Sequence, residues 1–286
     1  MQKQKSYGET AKGKLYLVPT PIGNLEDMSF RCIRCLKEAA VIASEDTRNT
    51  KKLLMHFEIE TPQISFHEHN YKERIPKLLE RLLSGETIAQ VSDAGMPSIS
   101  DPGHELVLAC IEAAIDVIPL PGASAGITAL IASGITPQPF TFYGFLPRKA
   151  KEQKTELEKI KNLSSTQIFY ESPYRVLATL KNMKEIYGGT RKGVLCRELT
   201  KLHEEFLRGS LDELIDYLEE HTIKGECCLI IAGSDNEEAA ADFPESLKEH
   251  IDGLIASGLT SKEAIKEAAK VRGIKKQEAY KAYHVD

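Results

Sequence analysis

Short apolar runs alternate with amphipathic stretches through the first half of the chain. This alternation constrains the fold more than any other feature of the sequence. Residues 14–20, 41–46, 63–67, 87–92 and 116–120 read as strands. Between them, 31–39, 50–57, 73–83 and 104–114 carry apolar residues at helical spacing. A βαβα rhythm predicts a largely parallel sheet. The strand runs are continuously apolar, as strands covered on both faces should be.

A second α/β region follows. Stretches 123–133 and 149–161 read as helices, and 140–145, 167–171, 193–198, 204–208 and 227–232 as strands. Ser210 and Glu213 have the spacing of a capping box, and Leu211, Leu214, Ile215 and Leu218 then form one apolar stripe. Two strands in succession near Leu195 and Phe206 predict a partly antiparallel sheet. Residues 235–245 are acidic and alanine-rich and read as a linker. Beyond them Thr260 and Glu263 offer another capping box, Gly273 interrupts the helical pattern, and 275–283 resumes it, a helix–turn–helix shape. The expected division is 13–120 and 121–234 as two α/β domains, with 245–286 as a small helical appendage.

At 286 residues the chain exceeds what one core usually fills, and 42% apolar residues supply ample burial. A formal net charge of -5 means that any nucleic-acid contact must come from a local patch. One such patch is available: residues 262–281 hold seven lysines and arginines against three glutamates. The polar, lysine-bearing start lacks the apolar core of a signal peptide, and no run approaches a membrane span. Six cysteines without a framework spacing read as buried thiols, and Cys32 and Cys35 fall in a helical stretch. A cytoplasmic protein is the expectation.

Three glycine- and proline-rich loops follow strands: 19–24, 92–103 and 119–125. Ligands of parallel α/β sheets bind beyond the carboxyl ends of the strands. Glycine lets a backbone approach a ligand closely, and proline holds a loop in one shape before binding. One such loop is an ordinary turn; three point to a pocket. The chain has no P-loop, no G-x-G-x-x-G after the first strand and no G-x-S-x-G elbow. His67 and His69 would share a face if the strand ran through them, but no third metal ligand accompanies them.

The stretches Ser44-Glu45-Asp46-Thr47-Arg48, 66–70 (Phe-His-Glu-His-Asn) and 91–103 are specific. So are 17–25, 119–125, 142–148, 169–175 and 197–205. On these motifs the chain resembles the tetrapyrrole-methylase-like superfamily of S-adenosylmethionine enzymes, and within it the ribose methyltransferases of ribosomal RNA. The likeness covers residues 13–234, and the tail resembles the helix–turn–helix appendage of those relatives. Met96 stands where they often carry threonine.

The resemblance implies a two-domain tetrapyrrole-methylase-like α/β fold, a homodimer, and S-adenosylmethionine as methyl donor with no metal. It implies 2′-O-methylation of a cytidine in small-subunit ribosomal RNA, met free or in the assembled subunit. Carried over by position, the donor would be held by Asp93, Ala94, Gly95, Ser98, Ser124, Ala125, Phe145, Leu146 and Tyr170, with Pro21 and Gly23 of the first loop. Methyl transfer to a hydroxyl needs alignment and a proton acceptor. Glu45, Asp46, Glu171 and Glu198 are candidates, with Arg48 and Arg197 to position phosphates or to pair with those carboxylates. His67 and His203 are alternative bases. The rival readings are a tetrapyrrole C-methyltransferase, against which the 44–48 and 66–70 stretches and the basic tail argue, and a non-catalytic RNA- or nucleotide-binding regulator.

Overall fold

A computed structural model describes residues 1, 3–6, 11–234, 246–272 and 274–284. The expected linker 235–245 and the break at Gly273 lie outside the described residues. By contacts the chain forms two compact units, Met1–Gly233 and Ser234–Asp286.

The first unit opens with β1 (Lys14–Leu17), α1 (Phe30–Glu38), β2 (Val41–Ser44), α2 (Thr47–His56), β3 (Gln63–Ser65), α3 (Tyr71–Leu83), β4 (Ile88–Val91), α4 (Gly103–Glu112) and β5 (Asp116–Pro119). All pairings are parallel, in the order β3-β2-β4-β1-β5. The two-residue side-chain period divides β1, β2, β4 and β5 between two cores, while edge strand β3 gives Ile64 to one of them. Ile42, Ala89 and Ile118 pack with Cys32, Leu36, Leu53 and Leu54 of α1 and α2. Val41, Ala43 and Ile88 pack with Leu78, Leu82, Leu106 and Cys110 of α3 and α4 on the other face. The alternation of the sequence thus becomes a sheet wound on both sides. Cys32 and Cys35 are buried in α1, and burial raises both thiol pKa values. All six cysteines are free.

Two elements differ from expectation at their ends. β1 stops at Leu17 rather than 20: the Val18 N–H still reaches the Gln90 carbonyl of β4 (2.9 Å), but Thr20 pairs with Gly95 of the loop and not with a strand. β3 stops at Ser65, so His67 and His69 sit in a turn and not on one strand face. The Asn70 side chain closes that turn by accepting the His67 N–H at 2.9 Å.

The second sheet runs β6-β7-β10-β8-β9, built from β6 (Phe140–Phe145), β7 (Thr166–Glu171), β8 (Lys192–Arg197), β9 (Glu205–Ser210) and β10 (Cys227–Ile231). Only β6 and β7 are parallel; the β8–β9 succession is antiparallel, as its missing helix predicts. One face carries α5 (Ala125–Ser133), through Ala129 and Leu130. The other carries α6 (Ala150–Ile160), α7 (Val176–Tyr187) and α8 (Leu211–Glu220). The capping box of α8 is formed. Helix α7 was not expected, although Val176, Leu180 and Met183 give it a legible buried face.

The second unit contains α9 (Leu247–Ala256), α10 (Ser261–Val271) and α11 (Lys276–His284) around Ile251, Ile265 and Ala268. Thr260 and Glu263 bond reciprocally at the start of α10. Helix α9 was also missed, though Ser246 caps it by accepting the Glu249 N–H. Among the described residues no helix is long and apolar enough to cross a membrane.

Candidate active site

Strand order makes the site. β4, β1 and β5 are neighbours, so the loops that leave their carboxyl ends lie side by side although seventy or more residues separate the first from the others. They are tied together. The Thr20 N–H donates to the Gly95 carbonyl and the Gly95 N–H to the Thr20 carbonyl, both at 3.0 Å. The Thr20 hydroxyl donates to the Ser92 carbonyl at 3.2 Å. Gly95 sits at φ +76°, a left-handed conformation that favours glycine. A Cβ there would lie 3.3 Å from both Ile22 Cγ2 of the first loop and the Ala123 carbonyl oxygen of the third.

The long loop is held from beneath. Gln90 of β4, 1% exposed, donates to Asp101 Oδ1 at 2.9 Å. The same carboxylate accepts the N–H groups of Ser98 and Gly103, each at 2.8 Å. Ser98 therefore supports the loop and does not line the cavity described below.

A second knot joins the ends of β2 and β4. The Asp93 N–H donates to Glu45 Oε2 at 3.2 Å, and the Asp46 N–H donates to Asp93 Oδ1 at 3.0 Å. Asn49 Nδ2 reaches Asp93 Oδ2 at 3.2 Å. Glu45 is half-buried, and this burial raises its carboxyl pKa. The Asp93 N–H opposes the shift; the Asp93 and Asp101 carboxylates add to it. Asp46 differs: hydrogen bonds from Arg48 hold it down at about 2. Arg48 is itself exposed and spans both Asp46 oxygens, at 3.1 and 2.7 Å.

In the second half, the Tyr170 hydroxyl accepts the Gly126 N–H at 3.1 Å, and Phe145 meets the Tyr170 ring edge-on at 5.7 Å. Glu171 is 3% exposed and is consumed by its neighbours. It accepts from the Ser172 N–H at 2.8 Å and the Thr179 hydroxyl at 2.7 Å, with Arg175 at 3.4 Å. Arg197 pairs with Glu205 at 3.0 Å, not with one of the candidate bases. Glu198 is held low by a hydrogen bond from Lys201.

These loops surround a cavity of ≈ 710 Å³. Of the expected donor residues, Asp93, Ala94, Gly95, Ser124, Ala125, Phe145 and Tyr170 line it; of the expected bases, Glu45 and Glu171 do. Leu146 faces the core instead, 7% exposed. Pro21 and Gly23 line a separate hollow of ≈ 220 Å³. Asp46, Arg48, Arg197 and Glu198 line neither, and His203 is exposed. Sequence reasoning missed Gly126, Phe142, Leu199 and Glu226 of the wall. Gly126 adjoins the loop already singled out. Glu226 precedes β10, and nothing in its own neighbourhood marks it. Among the described residues no three His, Cys, Asp or Glu side chains form a metal-holding group.

The model of the tetrapyrrole (corrin/porphyrin) methylases matches residues 14–215. The chain belongs to the tetrapyrrole methylase family. It is 57% identical over 99% of both chains to the ribosomal RNA small subunit methyltransferase I of Streptococcus pyogenes serotype M3. It is 53% identical to the protein of that name from Bacillus subtilis, over 100% of this chain and 99% of the relative. Among solved structures, the uroporphyrin-III C-methyltransferase of Thermus thermophilus, complexed with S-adenyl homocysteine, matches with a TM-score of 0.56 at 16% identity, covering 77% of this chain and 97% of the other. A diphthine synthase matches with a TM-score of 0.58 at 13% identity, over 77% of this chain and 90% of the other. At these identities the two structures speak for the family fold alone.

The Asp101 clamp gives a direct expectation. Asp101→Ala leaves the buried Gln90 amide and two loop N–H groups without their acceptor, costing about 1–3 kcal/mol. Denaturant unfolding against the wild type measures it; an unchanged midpoint would show that the clamp contributes nothing.

Proposed function

We propose that this chain is an S-adenosylmethionine-dependent methyltransferase that methylates the 2′-oxygen of a cytidine in small-subunit ribosomal RNA, and so works in the cytoplasm. The observation that carries the reading is the cavity built on loop 92–103, in a chain that matches ribosomal RNA methyltransferases along its whole length. The cavity fits such a donor. Small residues (Ala94, Gly95, Ala125, Gly126) leave room for a nucleoside against the backbone, and Phe145 and Tyr170 offer aromatic faces to a cationic group. S-adenosylmethionine, when bound, supplies a methyl group already activated on a sulfonium. What remains for the protein is to align the acceptor, exclude water and take a proton.

Glu45 is the proton acceptor in this reading. Of the four candidate carboxylates, it lines the cavity with its pKa displaced upward, towards the range where a base works. Asp46 is held at about 2 and Glu198 is held low, so both are weak bases. Glu171 is buried and held by Ser172, Thr179 and the Arg175 guanidinium, which fix it as a structural tie.

RNA is gripped by the second unit, where Lys262, Lys266, Lys276 and Lys281 are exposed. The working form is a homodimer. Ile131 on α5 is 76% exposed, an apolar side chain that a second copy would cover, while Ile127 one turn before it lines the cavity.

Labelled S-adenosylmethionine and undermethylated small subunits test the reading: label is expected in cytidine ribose, and donor binding without transfer would instead support a regulator. Glu45→Gln retains an oxygen for the Asp93 N–H, so donor affinity should hold while turnover falls about 10²–10⁴-fold. In the wild type, kcat/KM should fall as the pH drops through the raised Glu45 pKa, because the protonated acid cannot accept a proton; the variant should lack that limb. A variant with wild-type turnover would dismiss Glu45. Removing residues 245–286 should weaken RNA binding and flatten its salt dependence, leaving donor affinity unchanged in calorimetry. Light scattering at micromolar concentration should give twice the chain mass; a monomer would refute the dimer.

A further inference from the structure

The smaller hollow shares Ser92 and Asp93 with the donor cavity, so the two adjoin at one short stretch of chain. Its character is mixed. Pro21, Leu25 and Leu53 give it apolar walls, and Asn49, Thr50 and Lys52 give it polar ones.

Thr50 carries the clue. Its side chain is 4% exposed, and its hydroxyl has no hydrogen-bond partner. A threonine inside a helix ordinarily returns its hydroxyl to the carbonyl one turn back. A buried hydroxyl left unpaired is costly. Four buried side-chain atoms without a hydrogen-bond partner occur among the described residues, on Thr50, Arg74, Thr200 and Asp212, and of these residues Thr50 lines a cavity. Beside it, the Asp93 carboxylate accepts from Asp46 and Asn49, one bond to each oxygen, and retains lone pairs for a further donor. Lys52 is exposed at the rim, with no ion-pair partner among the described residues.

A phosphate does not suit this hollow, because Asp93 would repel it and three apolar walls would not solvate it. A flat heterocycle with an amine to donate and a carbonyl to accept does suit it. Enzymes that act on a base take it out of the stack and read its pairing edge in a pocket, and a pocket of that kind can equally hold the base while the attached ribose is presented. A carboxylate accepting from the exocyclic amine is the usual way a side chain selects cytosine.

We propose that the hollow receives the base of the target nucleotide, an unstacked cytosine, with Asp93 accepting from its amine and Thr50 donating to its ring carbonyl. Lys52 then meets a flanking phosphate. The ribose joined to that base comes to the boundary of the two cavities, beside Glu45. This assignment rests on the reading of the chain as an RNA ribose methyltransferase.

Two variants of the full chain test it. Thr50→Val keeps the shape and removes only the unpaired hydroxyl, so the thermal midpoint should hold or rise. Leu25→Trp fills the hollow from a position already 39% exposed. Each should lower kcat/KM for undermethylated small subunits about ten-fold or more, with donor affinity by calorimetry unchanged. Uridine in place of the methylated cytidine should cost the wild type a similar factor. Wild-type transfer by both variants would overturn the base pocket, and equal use of uridine would overturn the reading by Asp93. Failure of the wild type to label any RNA would remove the functional reading, and this assignment with it.

Discussion

One buried amide organises the business end of this molecule. Gln90 lies on β4, a central strand, where a polar side chain needs a partner. Its partner is Asp101, eleven residues on, and the same carboxylate accepts the amides of Ser98 and Gly103. That single acceptor curls the loop back over its own strand and sets the first residue of α4. Alanine at 103 would have no room: its Cβ would come within 2.7 Å of Ser98 Oγ, Asp101 Oδ1 and Gln90 Nε2. The stretch 92–97, projecting from this anchored base, is then free to pair with the first loop at Gly95 and with β2 through Asp93.

The division between holding and acting follows from which groups are already satisfied. Glu171, with three protein partners, ties the end of β7 to α7, and Arg175 extends the tie to the Pro147 carbonyl at 3.1 Å. Arg48 and Asp46 neutralise one another at the surface. Glu45 and Asp93 interlock through backbone N–H groups, which orient their carboxylates rather than an ion pair doing so. Hydrogen bonding from the backbone fixes direction without the full penalty to basicity that an arginine would impose.

Much of this was legible in the sequence. The βα rhythm predicted the first sheet because its inner strands are covered on both faces. The antiparallel turn of the second sheet showed in two strands without a helix between them. Composition marked loop 92–103 as one of three candidate loops, and the family resemblance over 91–103 singled it out. Helices α7 and α9 went unread, although their spacing and, for α9, the Ser246 cap were available. Other features could not be read locally. That Arg197 pairs with Glu205 depends on the β8–β9 register, which sets them opposite each other. That Leu146 turns to the core while Phe145, its neighbour, is 62% exposed is decided by how β6 leaves its sheet. Pro21 and Gly23 belong to one of the three loops that follow strands, yet they line the smaller hollow and not the larger cavity, and Asp93 is shared by the two.

The strand order has a consequence for how the chain is made. β1 is synthesised first, but its neighbours in the sheet are β4 and β5. Neither edge of β1 can be completed until Ile88 and then Asp116 have emerged, so its apolar residues wait through about a hundred residues of synthesis. Contacts so distant in sequence form slowly and leave strand edges open meanwhile. The three loops that close the cavity hang on those same strands. The site is therefore among the last parts of the first sheet to assemble, and a chain interrupted before Pro119 would carry an unfinished edge rather than a weakened enzyme.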